Sequence, residues 1–325
     1  MGVIDAIADG FFAVAKRPLV LFPIVALDLL YWGGGRLTVA PLTNGLIALA
    51  QGVGERAPAG TDLNATVDSL RTIEQGSDLL GLLALGQKPL LPRLDAAQIA
   101  RPWGAGVLDM GNAPLALLVA LVLLLAGLFW LAVALTVVAP LARDEPFAPR
   151  QILRQIPRCW LALLGFGAII VAAAALLFLP LVILAAAIEA LGLSAAPLAF
   201  VVVVPLLLLY VCLLYVCLAL TPEAIAVRQV GPLRAIKLSV LVVRHNFWRT
   251  IGLLAAIFLV DRGFPLILGL LAQQTAGVPL AIVGNAFIST ALLAAGMFFF
   301  RERLLALEEG TAGEQQRSQA GRPQA

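Results

Sequence analysis

Histidine occurs once in this chain of 325 residues, at His245, and lysine only at Lys16, Lys88 and Lys237. A single histidine excludes a His-rich metal centre and leaves little for acid–base catalysis near neutral pH. Cysteine is almost as scarce. Cys159, Cys212 and Cys217 are odd in number and fall within or at the edge of apolar runs, which argues against a disulfide framework. Their spacing matches no metal site, and packing is their simplest role. Charge is the largest deficit. Asp, Glu, Lys and Arg supply 13% of the residues, against roughly 25% in a soluble domain that must cover itself with polar surface.

What fills the gap is long apolar sequence. Pro114–Ala142, Cys159–Ile188 and Gly192–Leu220 contain no charge at all. A helix needs roughly 20 such residues to cross about 30 Å of hydrocarbon. The expected fold is therefore all-α, a polytopic transmembrane helical bundle of six spans. These are placed at about 18–39, 114–139, 159–188, 196–220, 250–273 and 278–300. Residues 1–309 form the membrane domain. The Gln-, Gly-, Ser- and Arg-rich stretch 310–325 has no apolar period and reads as a disordered tail.

Arginine orients the spans. Lys16 and Arg17 precede the first. Arg143, Arg150, Arg154 and Arg158 separate the second from the third, Arg228 to Arg249 separate the fourth from the fifth, and Arg301 and Arg303 follow the sixth. The short opposite loops carry no Lys or Arg. The positive-inside rule then places both termini in the cytoplasm. The long connection 51–111 holds five basic and seven acidic residues and falls on the outer side. Thr61-Asp62 suits a helix start, and Leu63, Val67, Leu70 and Ile73 recur at helical spacing, so one or two amphipathic helices should lie over the outer face. They would be either a cap on the span ends or a lid on a cavity. Asn64-Ala65-Thr66 matches a glycosylation sequon, which a bacterial chain would ignore. The start of the chain places Asp5 and Asp9 where a secretory signal has basic residues.

In-plane amphipathic helices precede the odd-numbered spans. Leu233, Ile236, Val240, Val243 and Phe247 make one apolar stripe, while Arg234, Lys237, Arg244, His245 and Arg249 crowd another side. Trp248 sits where tryptophan anchors a span at the interface. Arg234, Lys237, Arg244, Arg249 and Trp248 are accordingly the candidate contacts to lipid headgroups. Ile4, Ile7, Phe11 and Val14 repeat the stripe before span one, and Leu153, Ile156 and Trp160 give a shorter version before span three. One in-plane helix plus two spans, three times over, would make a threefold internal repeat.

One of these segments is also familiar. Thr221-Pro222-Glu223-Ala224, then Gly231, Ala235, Ser239, Leu241-Val242, Arg244 and Asn246-Phe247-Trp248-Arg249 resemble the signature of a broad group of bacterial six-span proteins. That group includes the membrane domain found beside some glycerophosphodiester phosphodiesterases. The likeness is close over these residues, with a looser echo at the N-terminus. It departs at Arg228-Gln229, where members often carry an acidic residue before the glycine. The resemblance implies the fold and topology, and it implies no activity, since the group shares no catalytic residues. The phosphodiesterase domain itself would need clustered histidines and carboxylates on a metal, and the chain has no room for it.

Other chemistry is equally sparse. Gly165-Phe166-Gly167 and Gly104-Ala105-Gly106 lack the following Lys-Ser/Thr of a phosphate cradle. The basic residues track one membrane face without interleaved aromatics, which favours lipid over nucleic acid as partner. No cofactor is expected. A second copy of the chain or another membrane protein remains open as a partner.

The apolar rule is broken inside the spans. Asp28 in span one and Asp261-Arg262 in span five lie near midplane, where a charge costs roughly 2.5–3.5 kcal/mol on the insertion scale. Arg262 is the expected partner of Asp28, with Asn285 and Ser289 on span six filling remaining hydrogen bonds. This cluster is either a clasp that fixes helix packing or a midplane substrate or proton site. The corresponding functions are a non-enzymatic protein supporting lipid or envelope processes, or a transporter. An intramembrane enzyme stands third, because no nucleophile–base pair is visible.

Overall fold

The computed structural model describes residues 2–54, 67–72, 78–93, 107–108, 111–190 and 204–320. Its longer helices are α1 (Val3–Lys16), α2 (Phe22–Gly33), α3 (Ala40–Gly54), α4 (Ala113–Arg143), α5 (Pro149–Ala190), α6 (Val204–Leu218), α7 (Thr221–Arg228), α8 (Pro232–His245), α9 (Phe247–Ala272) and α10 (Gly277–Ala320). The described extended pairing is a two-residue parallel match of β1 (Arg36–Leu37) with β2 (Val107–Leu108). Five segments are long and apolar enough to cross a bilayer: Ala113–Arg143, Pro149–Leu181, Leu207–Arg228, Phe247–Ala272 and Gly277–Glu309. They become six if Val3–Lys16 with Pro18–Gly33 counts as one. The fold is thus helical, with five to six segments able to span a membrane.

Several boundaries differ from the sequence reading. Span one was expected to reach Val39, but its helix ends at Gly33, and Gly34 is extended at φ −83°, ψ 156°. Three consecutive glycines carry no side chain to favour another turn, and the chain enters the β1 pairing instead. Residues 18–33 would rise only about 24 Å as a helix, short of the ~30 Å core. Residues 149–158, expected as a separate in-plane helix, are the first turns of the continuous α5. The helix continues through Pro157, whereas α1 ends before Pro18 and α8 before Asn246. α10 runs to Ala320, through the first part of the expected disordered tail. Its Glu, Gln, Arg and Ala are good helix formers, so polarity alone does not end the helix. Leu63, Ile73, the sequon and Gly104–Gly106 lie outside the described residues; Val67 and Leu70 fall in a helical stretch at 67–72.

The chain divides into two compact units. Unit 1 comprises Met1–Arg17, Leu135–Leu259 and Ala291–Ala325. Here α1 buries Ala6, Gly10 and Val14. This is a seam of small residues and shares only Val14 with the anticipated apolar stripe; Ile4 is 81% exposed. A close helix approach selects for small side chains, and the larger apolar ones are left for lipid. A Cβ on Gly10 would stand 2.4 Å from the Ala291 carbonyl oxygen.

The residues that carried the family resemblance hold unit 1 together. Pro222 starts α7, Gly231 caps α8 in an extended conformation, and Pro232 opens it. Gly165 lets Pro232 approach: a Cβ there would meet the ring at 2.9 Å. Ser239, fully buried, donates to the Cys217 carbonyl at 2.7 Å and so ties α8 to the end of α6. Asn246 joins α8 to α9. Its side-chain amide donates to Val242 O at 3.3 Å, while its own carbonyl accepts from the Thr250 backbone and hydroxyl. Arginines cap open helix ends. Arg143 donates to Ala226 O at 2.7 Å and Arg301 to Ala142 O at 2.6 Å, both in last helical turns, where carbonyls lack intrahelical donors. The arginines that orient the chain in sequence thus also close its helices.

Unit 2 comprises Pro18–Ala134 and Val260–Thr290. Its core gathers Leu27, Tyr31, Leu90, Leu91, Ala272, Val278, Ala281 and Ile282. Leu90 and Leu91 come from the connection expected to lie over the outer face, so residues 78–93 are part of the core. Two short 3₁₀ helices, Leu79–Ala84 and Leu91–Arg93, shape this segment. It rests on α4 at Gly127, where a Cβ would stand 2.2 Å from the Leu82 carbonyl oxygen. Trp130 Nε1 donates to Pro23 O at 2.8 Å and the Tyr31 hydroxyl donates to Leu80 O.

Candidate functional site

Four of the five midplane residues converge on one short piece of backbone in unit 2. Asp28, on α2, has no exposed surface. Its two carboxylate oxygens accept from the backbone amides of Leu90 (3.1 Å) and Leu91 (3.0 Å). On α10, Asn285 and Ser289 are buried, and both donate to the carbonyl of Lys88, at 2.9 and 3.3 Å. On α9, the carboxylate of Asp261 lies 3.2 Å from Lys88 Nζ; the aspartate side chain is 10% exposed and the lysine 35%. Arg262, the next residue on α9, is exposed.

The chemistry of this arrangement follows from what Lys88–Pro92 can offer. Pro89 and Pro92 have no N–H. Between Lys88 and Arg93, only Leu90 and Leu91 therefore need an acceptor, and Asp28 supplies one to each. An ionised acceptor makes shorter, stronger bonds to amides than a carbonyl does. At the segment's other end, Asp78 Oδ1 accepts from Leu80 N and Leu37 N, both at 3.0 Å. Two carboxylates thus hold a segment whose own helices are only the short 3₁₀ turns Leu79–Ala84 and Leu91–Arg93.

Sequence reading found the four helical residues and missed their common target. The available signal was Leu79–Leu85, an apolar run inside a loop expected over the outer face, followed by Lys88-Pro89-Leu90-Leu91-Pro92. Gln87 adds a further feature. It is 9% exposed, and neither end of its side-chain amide has a partner among the described residues.

The second candidate set lies on and beside α8 in unit 1. Ala235, Ser239, Val242 and Val243 are buried against the protein, whereas Leu233 and Val240 are exposed. The anticipated stripe is therefore split: Val243 faces the protein, and Leu233 and Val240 remain for lipid. Arg234, Lys237, Arg244 and Arg249 are all exposed, and none forms an ion pair among the described residues. Trp248 is 80% exposed and meets Phe247 edge-on, with ring centroids 5.5 Å apart. His245 turns Nδ1 back toward its own helix, 2.9 Å from Leu241 O.

No family model, curated protein or solved structure matches the chain.

Proposed function

We propose that the chain is a six-span protein of the bacterial cytoplasmic membrane, with both termini cytoplasmic, that supports a lipid or envelope process without catalysing a reaction. The observation that carries this reading is the three-way division of α8. One face is buried in the protein, one presents Leu233 and Val240, and one presents Arg234, Lys237 and Arg244, which, like Arg249 at the start of α9, form no ion pair among the described residues. Such a helix suits the membrane interface, where each Lys or Arg near an anionic surface is worth about 1 kcal/mol. The likeness of residues 221–249 to the six-span group points the same way, as do α1 and α8, each set before a span in the manner of a repeat.

The test uses the purified full chain in nanodiscs of phosphatidylcholine doped with phosphatidylglycerol. Native mass spectrometry should find phosphatidylglycerol enriched on the protein. Arg234→Gln with Lys237→Gln and Arg249→Gln should remove that enrichment without lowering Tm. Equal retention of both lipids by the native chain would overturn the reading.

Transport is the second reading, and the open amide of Gln87 favours it: a buried polar group without a partner marks a place for water or solute. Its discriminator is a measured flux that Gln87→Leu abolishes in a protein of unchanged Tm.

A further inference from the structure

We propose that a cleft in unit 1, beside α1, binds a zwitterionic phospholipid headgroup that carries both a phosphate and an ammonium group. The cleft has a volume of about 600 Å³ and is lined by α1, the end of α4 with Asp144, and α10 between Phe298 and Leu305. That volume lies within the range of small-molecule sites, roughly 300–1,000 Å³. The proposal rests on the membrane-interface reading of α1 but uses a site separate from the cations of α8.

The lining of α1 is ordered along one stripe. Asp9, Phe12, Ala13 and Lys16 fall at offsets 0, 3, 4 and 7 and share a helix face. Lys16 lies over the Phe12 ring, 6.0 Å from its centroid. Among the described residues neither Asp9 nor Lys16 has an ion-pair partner, so the stripe presents a carboxylate at one end and an ammonium at the other. Across the cleft, Arg301 and Glu302 again place a cation next to an anion. Arg301 is anchored on Ala142 O and Asp144, and Arg17 donates to Glu145 O at 3.2 Å, so both guanidinium groups are held in place before any ligand arrives.

Charge of both signs distinguishes this cleft from a simple anion site. Three cations (Lys16, Arg17, Arg301) and three carboxylates (Asp9, Asp144, Glu302) line it, with Leu141, Phe298 and Leu305 as apolar wall. A phosphate finds Lys16 and Arg17 at one end, and an ammonium finds Asp9 at the other. The apolar wall suits glycerol and the first methylenes of an acyl chain. Its position where α1 precedes a span and α4 and α10 leave theirs is the level of lipid headgroups.

The experiment is native mass spectrometry of the full chain in detergent, with phosphatidylethanolamine, phosphatidylglycerol or inorganic phosphate added in turn. Read on the full chain carrying Arg234→Gln, Lys237→Gln and Arg249→Gln, which retains no phosphatidylglycerol at α8, the expected result is one retained phosphatidylethanolamine in preference to phosphatidylglycerol. Asp9→Asn should lower its affinity about tenfold, the loss of one charge-assisted contact, and leave phosphatidylglycerol unchanged. Lys16→Gln should weaken both lipids. Asp9 and Lys16 lie off the Gly10 seam, and Phe12→Ala, which removes exposed cleft wall and the ring beneath Lys16, serves as a second variant that should weaken both lipids with Tm unchanged. Equal retention of the two lipids, indifference to Asp9→Asn, or displacement by inorganic phosphate at matching concentration would each overturn the proposal. Loss of phosphatidylglycerol enrichment in the α8 variant with phosphatidylethanolamine retained separates this site from that one.

Discussion

Replacing Asp28 with leucine removes the acceptor of two buried amides while keeping the branched shape of the side chain. The Leu90 and Leu91 N–H groups bond to Asp28 at 3.1 and 3.0 Å in a core where Asp28 and Leu90 are both inaccessible. An amide left buried without an acceptor costs about 1–3 kcal/mol, so these two groups alone contribute roughly 2–6 kcal/mol to holding residues 88–91 in place. At 1.4 kcal/mol per tenfold, local opening becomes roughly 30- to 10⁴-fold more frequent. Hydrogen–deuterium exchange on the full chain in nanodiscs reads this directly, as faster exchange in peptides covering 78–93. Peptides from α8, whose capping bonds do not involve Asp28, serve as the internal standard. Asp28→Asn keeps one acceptor oxygen and should give a smaller acceleration, by about the cost of one bond. Unchanged exchange at Leu90 and Leu91 in Asp28→Leu would refute the reasoning, because the carboxylate would then be incidental to the segment's order. Equal acceleration in α8 would do the same, by showing a global rather than a local role.

Lys88→Met leaves Asp261 without its lysine. The lysine is partly exposed and the pair correspondingly screened, so Tm should fall by the equivalent of about 1–2 kcal/mol, and Lys88→Met with Asp261→Leu should recover most of it; a double variant worse than either single one contradicts the pairing. Gly10→Ala forces a methyl onto the Ala291 carbonyl and should cost about 1–3 kcal/mol, whereas Gly33→Ala, with nothing within 4 Å, should leave thermal stability almost unchanged. Ser239→Ala removes a bond to the Cys217 carbonyl and should lower stability by about 1 kcal/mol, read as a Tm shift from the native chain.

Apolar length was sufficient to locate five helices able to span a bilayer, because a bilayer imposes a length requirement that any sequence must display. The short amphipathic helices α1 and α8 were legible in their helical period. Their buried faces were not. Periodicity counts hydrophobicity, yet in α1 the protein-facing seam is Ala6, Gly10 and Val14, and in α8 it includes Ser239. In lipid, apolar character no longer tells inside from outside, and close packing selects small residues instead. The midplane polar residues were found because each breaks an apolar run. Their target was not, since Lys88–Leu91 lies nearly 60 residues from Asp28 in sequence and about 170 from Asp261. Loop composition there looked like a water-facing connection.

That target also bears on the choice between a clasp and a transport site. Irregular backbone is tolerated at membrane depth only where its polar groups are satisfied by protein or by a water-filled cavity. In Lys88–Pro92 the two prolines remove two donors, Asp28 accepts from the two amides between them, and Asn285 and Ser289 supply two donors to the Lys88 carbonyl. Backbone and side chains therefore match group for group, with proline placed where an acceptor is not provided. A substrate site has a different requirement: polar groups left open for an incoming ligand. Asp28, Asn285 and Ser289 are engaged by the segment they hold, whereas Gln87 and, on α10, Thr290 keep buried polar atoms without a partner among the described residues.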